Sequence, residues 1–358
     1  MKFIHCADLH LDSKMDKLSS EKAKIRREEI VHTFERLCKY ALDNGVRAVI
    51  ISGDMFDSAK VTIKTREKVM HAISNCPSVD FLYLSGNHDE ENFISSVDNL
   101  PNNLKIFNDA WSSFRYENVV ISGIVFTPFN TSTVYDNLSL DANDFNIVAM
   151  HGQIVGYKSQ DKAETISLPR LKDKNIDYLA LGHIHEFVIN QLDLRGKYAY
   201  SGCLEGRGFD ETGDKGFVEI EVEVNKADYK FIPFAKRSLY NFEYIVEDKP
   251  DFFVCKNEIV SYLKQNIPSS SLVKVILKGE RSADFIIDEL SLSNELNENF
   301  FFAKVYDKTE ILIKDSDYEL DKTVRGEFVR AVWESELSSE IKSKILTCGL
   351  NALKGEDL

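Results

Sequence analysis

Hydrophobic and polar positions follow one scheme up to about residue 240 and another beyond it. In the first stretch, short β-branched runs alternate with segments of helical period. Phe3–Ala7, Arg47–Ser52 and Val79–Ser85 read as buried strands, and Val119–Phe126, Phe145–Met150, Tyr178–Leu181 and Phe217–Glu223 continue the series. Two helices are expected between the first three strands, Glu21–Asp43 and Val61–Ser74. The longer one puts Ile30, Phe34, Leu37, Cys38, Ala41 and Leu42 on one face and meets a stop signal at Asn44-Gly45. Past residue 240 the strands are Phe242–Val246, Leu272–Lys278 and Phe300–Tyr306. The helices are Phe253–Gln265 and Ala283–Glu295, followed by a closing pair, Thr323–Glu336 and Glu340–Leu353. The pattern predicts an α/β chain in three parts: a first domain over 1–238, a smaller α/β domain over 239–320 and a helical tail over 321–358.

The first stretch carries polar motifs where its strands stop, and the second carries none. In order they are Asp8-x-His10, Gly53-Asp54-Met55-Phe56-Asp57, Gly86-Asn87-His88-Asp89, His151-Gly152 and Gly182-His183-Ile184-His185. Each alone is weak, because a strand-end Asp is often only a turn residue. Five in succession imply one shared site, since ligands of layered α/β proteins collect at the carboxyl ends of strands. Imidazole, carboxylate and amide oxygen suit a borderline or hard divalent ion, and the lack of thiolates argues against structural zinc. On an extended strand Asp8 and His10 would point the same way, as would His183 and His185. Phosphoryl chemistry at two ions needs them held about 3.5–4 Å apart by a bridging carboxylate, for which Asp54 is the natural candidate.

This motif set resembles the calcineurin-like metallophosphoesterase superfamily and, within it, the SbcD/YhaO-type DNA repair exonucleases. The resemblance runs through roughly residues 1–235. It includes His5–Ser13 (HCADLHLDS), Gly53–Ser58 (GDMFDS) and Ser201–Gly216 (SGCLEGRGFDETGDKG), and Asp321–Arg330 (DKTVRGEFVR) resembles the tail of that branch. It implies a layered metallophosphoesterase β-sandwich flanked by helices, with a smaller α/β capping domain and C-terminal helices. It also implies two divalent ions, Mn²⁺ first, with Fe²⁺ and Zn²⁺ as the other candidates. Asp8, His10, Asp54 and His185 would hold one ion, and Asp54, Asn87, His151 and His183 the other. His88 would stabilise the transition state or protonate the leaving oxygen. Asp57 could orient His88. The implied activity is a DNA exo/endonuclease using two metals in double-strand break repair, as a homodimer partnered by an SbcC-like ATPase.

Charge complicates that picture. The 358 residues hold 44 Lys+Arg against 58 Asp+Glu, a net of −14, and such a surface repels nucleic acid. From residue 241 onward there are 15 Lys+Arg and 23 Asp+Glu, so this part carries −8 and the first part −6. Either a basic groove lies within an acidic whole, or the partner supplies DNA affinity. Candidate phosphate contacts are Lys60, at the head of an i, i+4 stripe with Lys64 and Lys68, and Arg207. The stripe reads equally as a solvated face, and Arg207 as a turn cap. A phosphodiesterase or phosphatase acting on nucleotides or phosphoproteins would use the same metal site and tolerate the charge. A DNA-tethering scaffold without catalysis is disfavoured, because every expected ligand is present. Six scattered cysteines with no CxxC pair suit a reducing cytoplasm. No apolar run approaches the roughly 20 residues that span a bilayer. Met1-Lys2-Phe3-Ile4 runs at once into His5 and Asp8, so no secretory leader is expected.

Overall fold

In the computed structural model, residues 1–57, 61–87, 89, 100–155, 164–224, 226–282, 285–311, 318 and 321–354 are described. The apolar runs of the first part become two six-stranded sheets. Strands β1 (Lys2–Cys6), β2 (Val46–Ser52), β3 (Asp80–Leu84) and β4 (Leu104–Ile106) run parallel in the first sheet. The second is built from β5 (Ser112–Tyr116), β6 (Val119–Gly123) and β7 (Phe145–His151). After a two-residue pair, β8 (Gln153–Ile154) with β9 (Thr165–Ile166), come β10 (Tyr178–Gly182), β11 (Val188–Gln191) and β12 (Lys197–Tyr200). The chain then returns to the first sheet with β13 (Gly216–Glu223), antiparallel to β1, and β14 (Lys226–Pro233). The strand orders are β14-β13-β1-β2-β3-β4 and β11-β12-β10-β7-β6-β5.

Strand alternation divides the apolar residues between two layers. Phe3, Ala48, Ile50, Leu82 and Leu84 meet Ile121, Ile147, Ala149, Tyr178 and Ala180 between the sheets. Ile4, Cys6, Val49, Ile51 and Phe81 face the other way, under helices α1 (Ser20–Asp43) and α2 (Ile63–Ser74). Both faces of the central strands are therefore covered, which is why they read as continuous apolar runs. On the far side of the second sheet, Val148, Met150, Leu179 and Leu181 pack with Val134, Tyr135 and Leu171, the last on the short helix α3 (Leu168–Leu171). Ser19 and Thr62 cap α1 and α2 by accepting from the backbone N–H groups of Lys22 and Thr65.

The chain divides into two compact units, Met1–Ser238 and Leu239–Leu358. The second opens with β15 (Leu239–Ile245) and α4 (Phe252–Asn266), then β16 (Leu272–Lys278), β17 (Glu280–Arg281) and α5 (Glu289–Asn299). It closes with β18 (Phe302–Asp307), β19 (Glu310–Ile311), α6 (Val324–Glu334) and α7 (Ser339–Lys354). β15, β16 and β18 form a parallel sheet whose Val273, Val275, Leu277 and Val305 pack on Cys255, Ile259, Leu263, Leu292 and Leu296 of the helices. The closing helices share a separate small core with Ile311 and Tyr318, through Val329, Val332, Leu346 and Leu350. The helix expected over 283–295 is α5, which starts later because Asp288 is its cap and accepts from Ser291 N at 2.8 Å. The strand expected over 119–126 stops at Gly123. β5, β11 and β14 had no clear sequence signal, since each mixes exposed polar residues into a sheet edge. Among the described residues no helix is long and apolar enough to cross a membrane.

One buried ionic network ties α1 to the segment before β13. Arg26, 1% exposed, donates to Glu29 Oε2 at 2.8 Å, to Glu205 Oε2 at 2.9 Å and to Gly206 O at 2.9 Å. Thr33 Oγ1 donates to Glu205 Oε1 at 2.7 Å, and Arg237 reaches both Glu29 oxygens at 2.6 and 2.7 Å. Burial pushes the Glu29 carboxyl up, but hydrogen bonds from Arg237 and Arg26 outweigh it and hold it down at about 2.

Candidate metal centre

The ends of β1, β2, β3, β7 and β10 lie together, and the loops leaving them carry the five motifs. These loops are not extended. Asp8, His10, Asp54 and His183 have φ of 52°, 43°, 52° and 105°, all in the left-handed region that side chains avoid. The convergence of Asp8 with His10 therefore comes from sharp turns and not from strand alternation, and His183 and His185, expected to point the same way, go to different clusters. Such turns cost about 1–3 kcal/mol each and persist only where surrounding structure imposes them. Here the Asp8 and His10 backbone N–H groups donate to Gly53 O and Asp54 O at 3.1 and 3.0 Å. The His183 N–H donates to both Asp8 carboxylate oxygens at 3.0 Å. Gly53, with φ +94°, passes so close to His151 that a Cβ would stand 2.0 Å from its Nδ1.

Two clusters result. In each, three residues bring one ligand atom apiece to within 4.8 Å of one another: Asp8, His10 and His185 in one, Asp54, His151 and His183 in the other. Asp54 Oδ2 lies 3.4 Å from His151 Nε2 and 3.9 Å from His10 Nε2, so this carboxylate faces both groups. Asn87 Oδ1 reaches His151 Nε2 at 2.9 Å. The candidate ligands Asp8, His10, Asp54, His151 and His183 are all buried.

The hydrogen bonds behind the imidazoles decide what the clusters can hold. His185 Nδ1 lies 2.7 Å from Glu211 Oε1, and His10 Nδ1 3.1 Å from Asp57 Oδ1. A proton on each Nδ1 leaves the lone pairs on the two Nε2 atoms, which face one another at 3.1 Å. His151 Nδ1 is 2.9 Å from Ser52 O, so its Nε2 lone pair faces the Asn87 and Asp54 oxygens. Acceptors converging on acceptors require a proton or a cation between them. All the donors are nitrogen or oxygen, so the residues fit divalent ions of the Mn²⁺, Fe²⁺ or Zn²⁺ kind.

The electrostatics agree with this. Burial lifts the Asp8 carboxyl to about 6 despite His185 and His151 beside it. Burial drives His10 down to about 4. For His151 burial acts downward, but the Asp54 carboxylate overrides it and lifts the imidazole to about 9. A proton then occupies the position a cation would take.

Other residues have roles the sequence did not announce. The Asp89 carboxylate accepts from the N–H groups of Gly86, Met55 and Phe56 at 3.0, 3.1 and 2.9 Å, tying the Asn87 loop to the Asp54 loop. Its place in the Gly86–Asp89 motif was the only hint. Arg207 donates to Asp57 Oδ1 at 2.6 Å and to Glu211 Oε1 at 3.1 and 3.3 Å. Lys215 Nζ donates to His185 O at 2.7 Å. Glu211 and Lys215 stand in the Ser201–Gly216 stretch, but nothing in their spacing pointed to His185. Asp57 lies against His10 and Arg207. His88 and Lys60 lie outside the described residues, and with His88 the expected Asp57–His88 contact.

Residues 1–187, more than half the chain, match the family profile of calcineurin-like phosphoesterases. The chain belongs to the calcineurin-like phosphoesterase family. Membership brings the α/β metallophosphoesterase fold and a dinuclear metal site, and the structure holds two candidate metal-ligand clusters. Among relatives, the chain is 28% identical over 247 residues to the uncharacterized metallophosphoesterase YhaO of Bacillus subtilis, covering 64% of this chain and 60% of that one. It is 26% identical over 236 residues to the DNA double-strand break repair protein Mre11 of Methanosarcina acetivorans, covering 61% of this chain and 36% of that one. A Mre11 from Saccharolobus solfataricus aligns over all of this chain and 96% of its own length, at 22% identity. This phosphoesterase thus spans less than two thirds of the length of the first two relatives.

Proposed function

We propose that this phosphoesterase is a Mn²⁺-dependent DNA exo/endonuclease that cleaves phosphodiester bonds with two ions. It would act in double-strand break repair as a homodimer with an SbcC-like ATPase. The observation that carries the reading is the set of opposed lone pairs around Asp54, an arrangement suited to two cations side by side. Two bound ions supply positive charge to a phosphoryl group and to its attacking water. Asp8, His10 and His185 would hold one and His151, His183 and Asn87 the other, with Asp54 shared. Asp89 keeps the Asn87 and Asp54 loops in register by its three backbone hydrogen bonds. His88 would pass a proton to the leaving oxygen. The choice of DNA is supported by the relatives named as double-strand break repair proteins, one of which aligns through the second unit as well.

A second reading, hydrolysis of nucleotides or phosphoproteins, is favoured by the net charge of −14. One experiment separates the two. Labelled linear double- and single-stranded DNA, bis-p-nitrophenyl phosphate and a phosphopeptide are incubated with the protein and Mn²⁺, with Asp54→Asn as control. DNA degradation that the control lacks is expected. Turnover of the small diester with DNA left intact, even after an SbcC-like ATPase is added, defeats the nuclease reading.

A further inference from the structure

The two clusters are supported from behind in different ways. His151 leans on a main-chain carbonyl, Ser52 O, at 2.9 Å. The Asp8–His10–His185 cluster is backed by side-chain carboxylates, Asp57 at His10 and Glu211 at His185. A single guanidinium, Arg207, spans both carboxylates, and the Arg207 backbone N–H donates to the second Glu211 oxygen at 2.6 Å. Burial raises the Glu211 carboxyl, but the hydrogen bond from His185 and the charge of Arg207 more than reverse this. Lys215 pins the His185 carbonyl from the same segment. Both oxygens of Glu211 are thus engaged, and His185 is held at its ring and at its backbone.

We infer that Glu211, braced by Arg207, is a positioning residue that sets the ion affinity of the Asp8–His10–His185 cluster and leaves the other cluster untouched. This rests on the reading that the clusters hold ions. A carboxylate behind a histidine ligand fixes the tautomer, aims the ring and raises the basicity of the coordinating nitrogen, and losing it costs about 10–100-fold in metal affinity. Glu211 bonds His185, Arg207 and Cys203, so the cost falls first on the ion that His185 would hold. Glu211 and Arg207 lie beyond residue 187, outside the stretch that matches the family profile.

The test is calorimetric titration of the full-length, metal-stripped protein with Mn²⁺, with electron paramagnetic resonance to distinguish coupled from isolated Mn²⁺. Wild type is expected to take two ions and give a coupled signal. Glu211→Ala is expected to keep one ion at unchanged affinity, lose 10–100-fold at the other and give an isolated signal at low Mn²⁺. Glu211→Gln keeps an oxygen that accepts from His185 Nδ1, so it should recover much of the loss and guards against misfolding of the alanine variant. Two unaltered sites in Glu211→Ala overturn the inference. So does equal weakening of both sites in a variant whose metal-free melting temperature is unchanged. A wild type that binds no Mn²⁺ overturns the underlying metal reading, a different result from either.

Discussion

The two clusters use the same residue types and reach their geometry by different routes. In the Asp54–His151–His183 cluster the His151 ring is held by main chain, while the Asp89 side chain ties the Asp54 and Asn87 loops together. The imidazole leans on Ser52 O, and Gly53 passes within a Cβ's reach of the ring. The Asp8–His10–His185 cluster is backed by side chains, a relay of Asp57 from the Asp54 loop with Arg207 and Glu211 from a later segment. Main-chain support cannot be altered without moving strands. Side-chain support can be changed one residue at a time, which makes this half of the centre the adjustable one.

Four perturbations break or sharpen that contrast. The largest effect belongs to Asp54, whose carboxylate faces both halves. Asp54→Asn should lower phosphodiester hydrolysis by at least about a thousandfold, since a dinuclear site needs its bridging charge. Measured kcat within tenfold of wild type would remove Asp54 from the centre.

Next comes the base of the side-chain relay. Arg26 is buried between Glu29 and Glu205, and Glu205 and Gly206 immediately precede Arg207. Arg26→Met leaves the buried Glu205 carboxylate without its guanidinium, while Glu29 keeps Arg237, and should cost about 3 kcal/mol in urea unfolding. Loss below about 1 kcal/mol would mean the network is relaxed in solution.

Gly53→Ala attacks the main-chain side. The left-handed φ of 94° and a Cβ 2.0 Å from His151 Nδ1 should together cost about 2 kcal/mol. Mn²⁺ affinity should fall mainly at the His151 cluster. A variant with wild-type stability and affinity would show that this loop yields freely.

The smallest effect is a pH dependence. Hydrogen bonds from Arg237 and Arg26 hold the folded Glu29 carboxyl down at about 2, against 4.5 for an ordinary glutamate, so the unfolded chain binds its proton more readily. The stabilisation is fully present above about pH 4.5 and drains away as pH falls toward 2. Stability measured across this window should fall less steeply in Glu29→Gln than in wild type. Identical slopes would show that Glu29 does not carry the effect.

Strands β1, β2, β3, β6, β7, β10, β13, β15, β16 and β18, the two long N-terminal helices and all five polar motifs were legible in the residues, because hydrophobic period and strand-end polarity are local properties. Asp8, His10, Asp54, His151 and His183 could be singled out because each sits where an apolar run stops. The edge strands β5, β11 and β14 could not, since half-exposed edges carry no distinctive pattern. The start of α5 depended on Asp288 among several polar neighbours, each an equal candidate cap. Sequence thus determined which residues offer nitrogen and oxygen donors, and in what order the strands deliver them. Only the tertiary structure decided that they divide into two clusters around Asp54, and that the turns are left-handed. It alone brought Arg207 to Asp57 across 150 residues and Glu211 to His185 across 26. The physical reason is that a hydrogen bond between distant side chains leaves no periodic trace along the chain. It exists only once packing has fixed both partners within about 3 Å of each other.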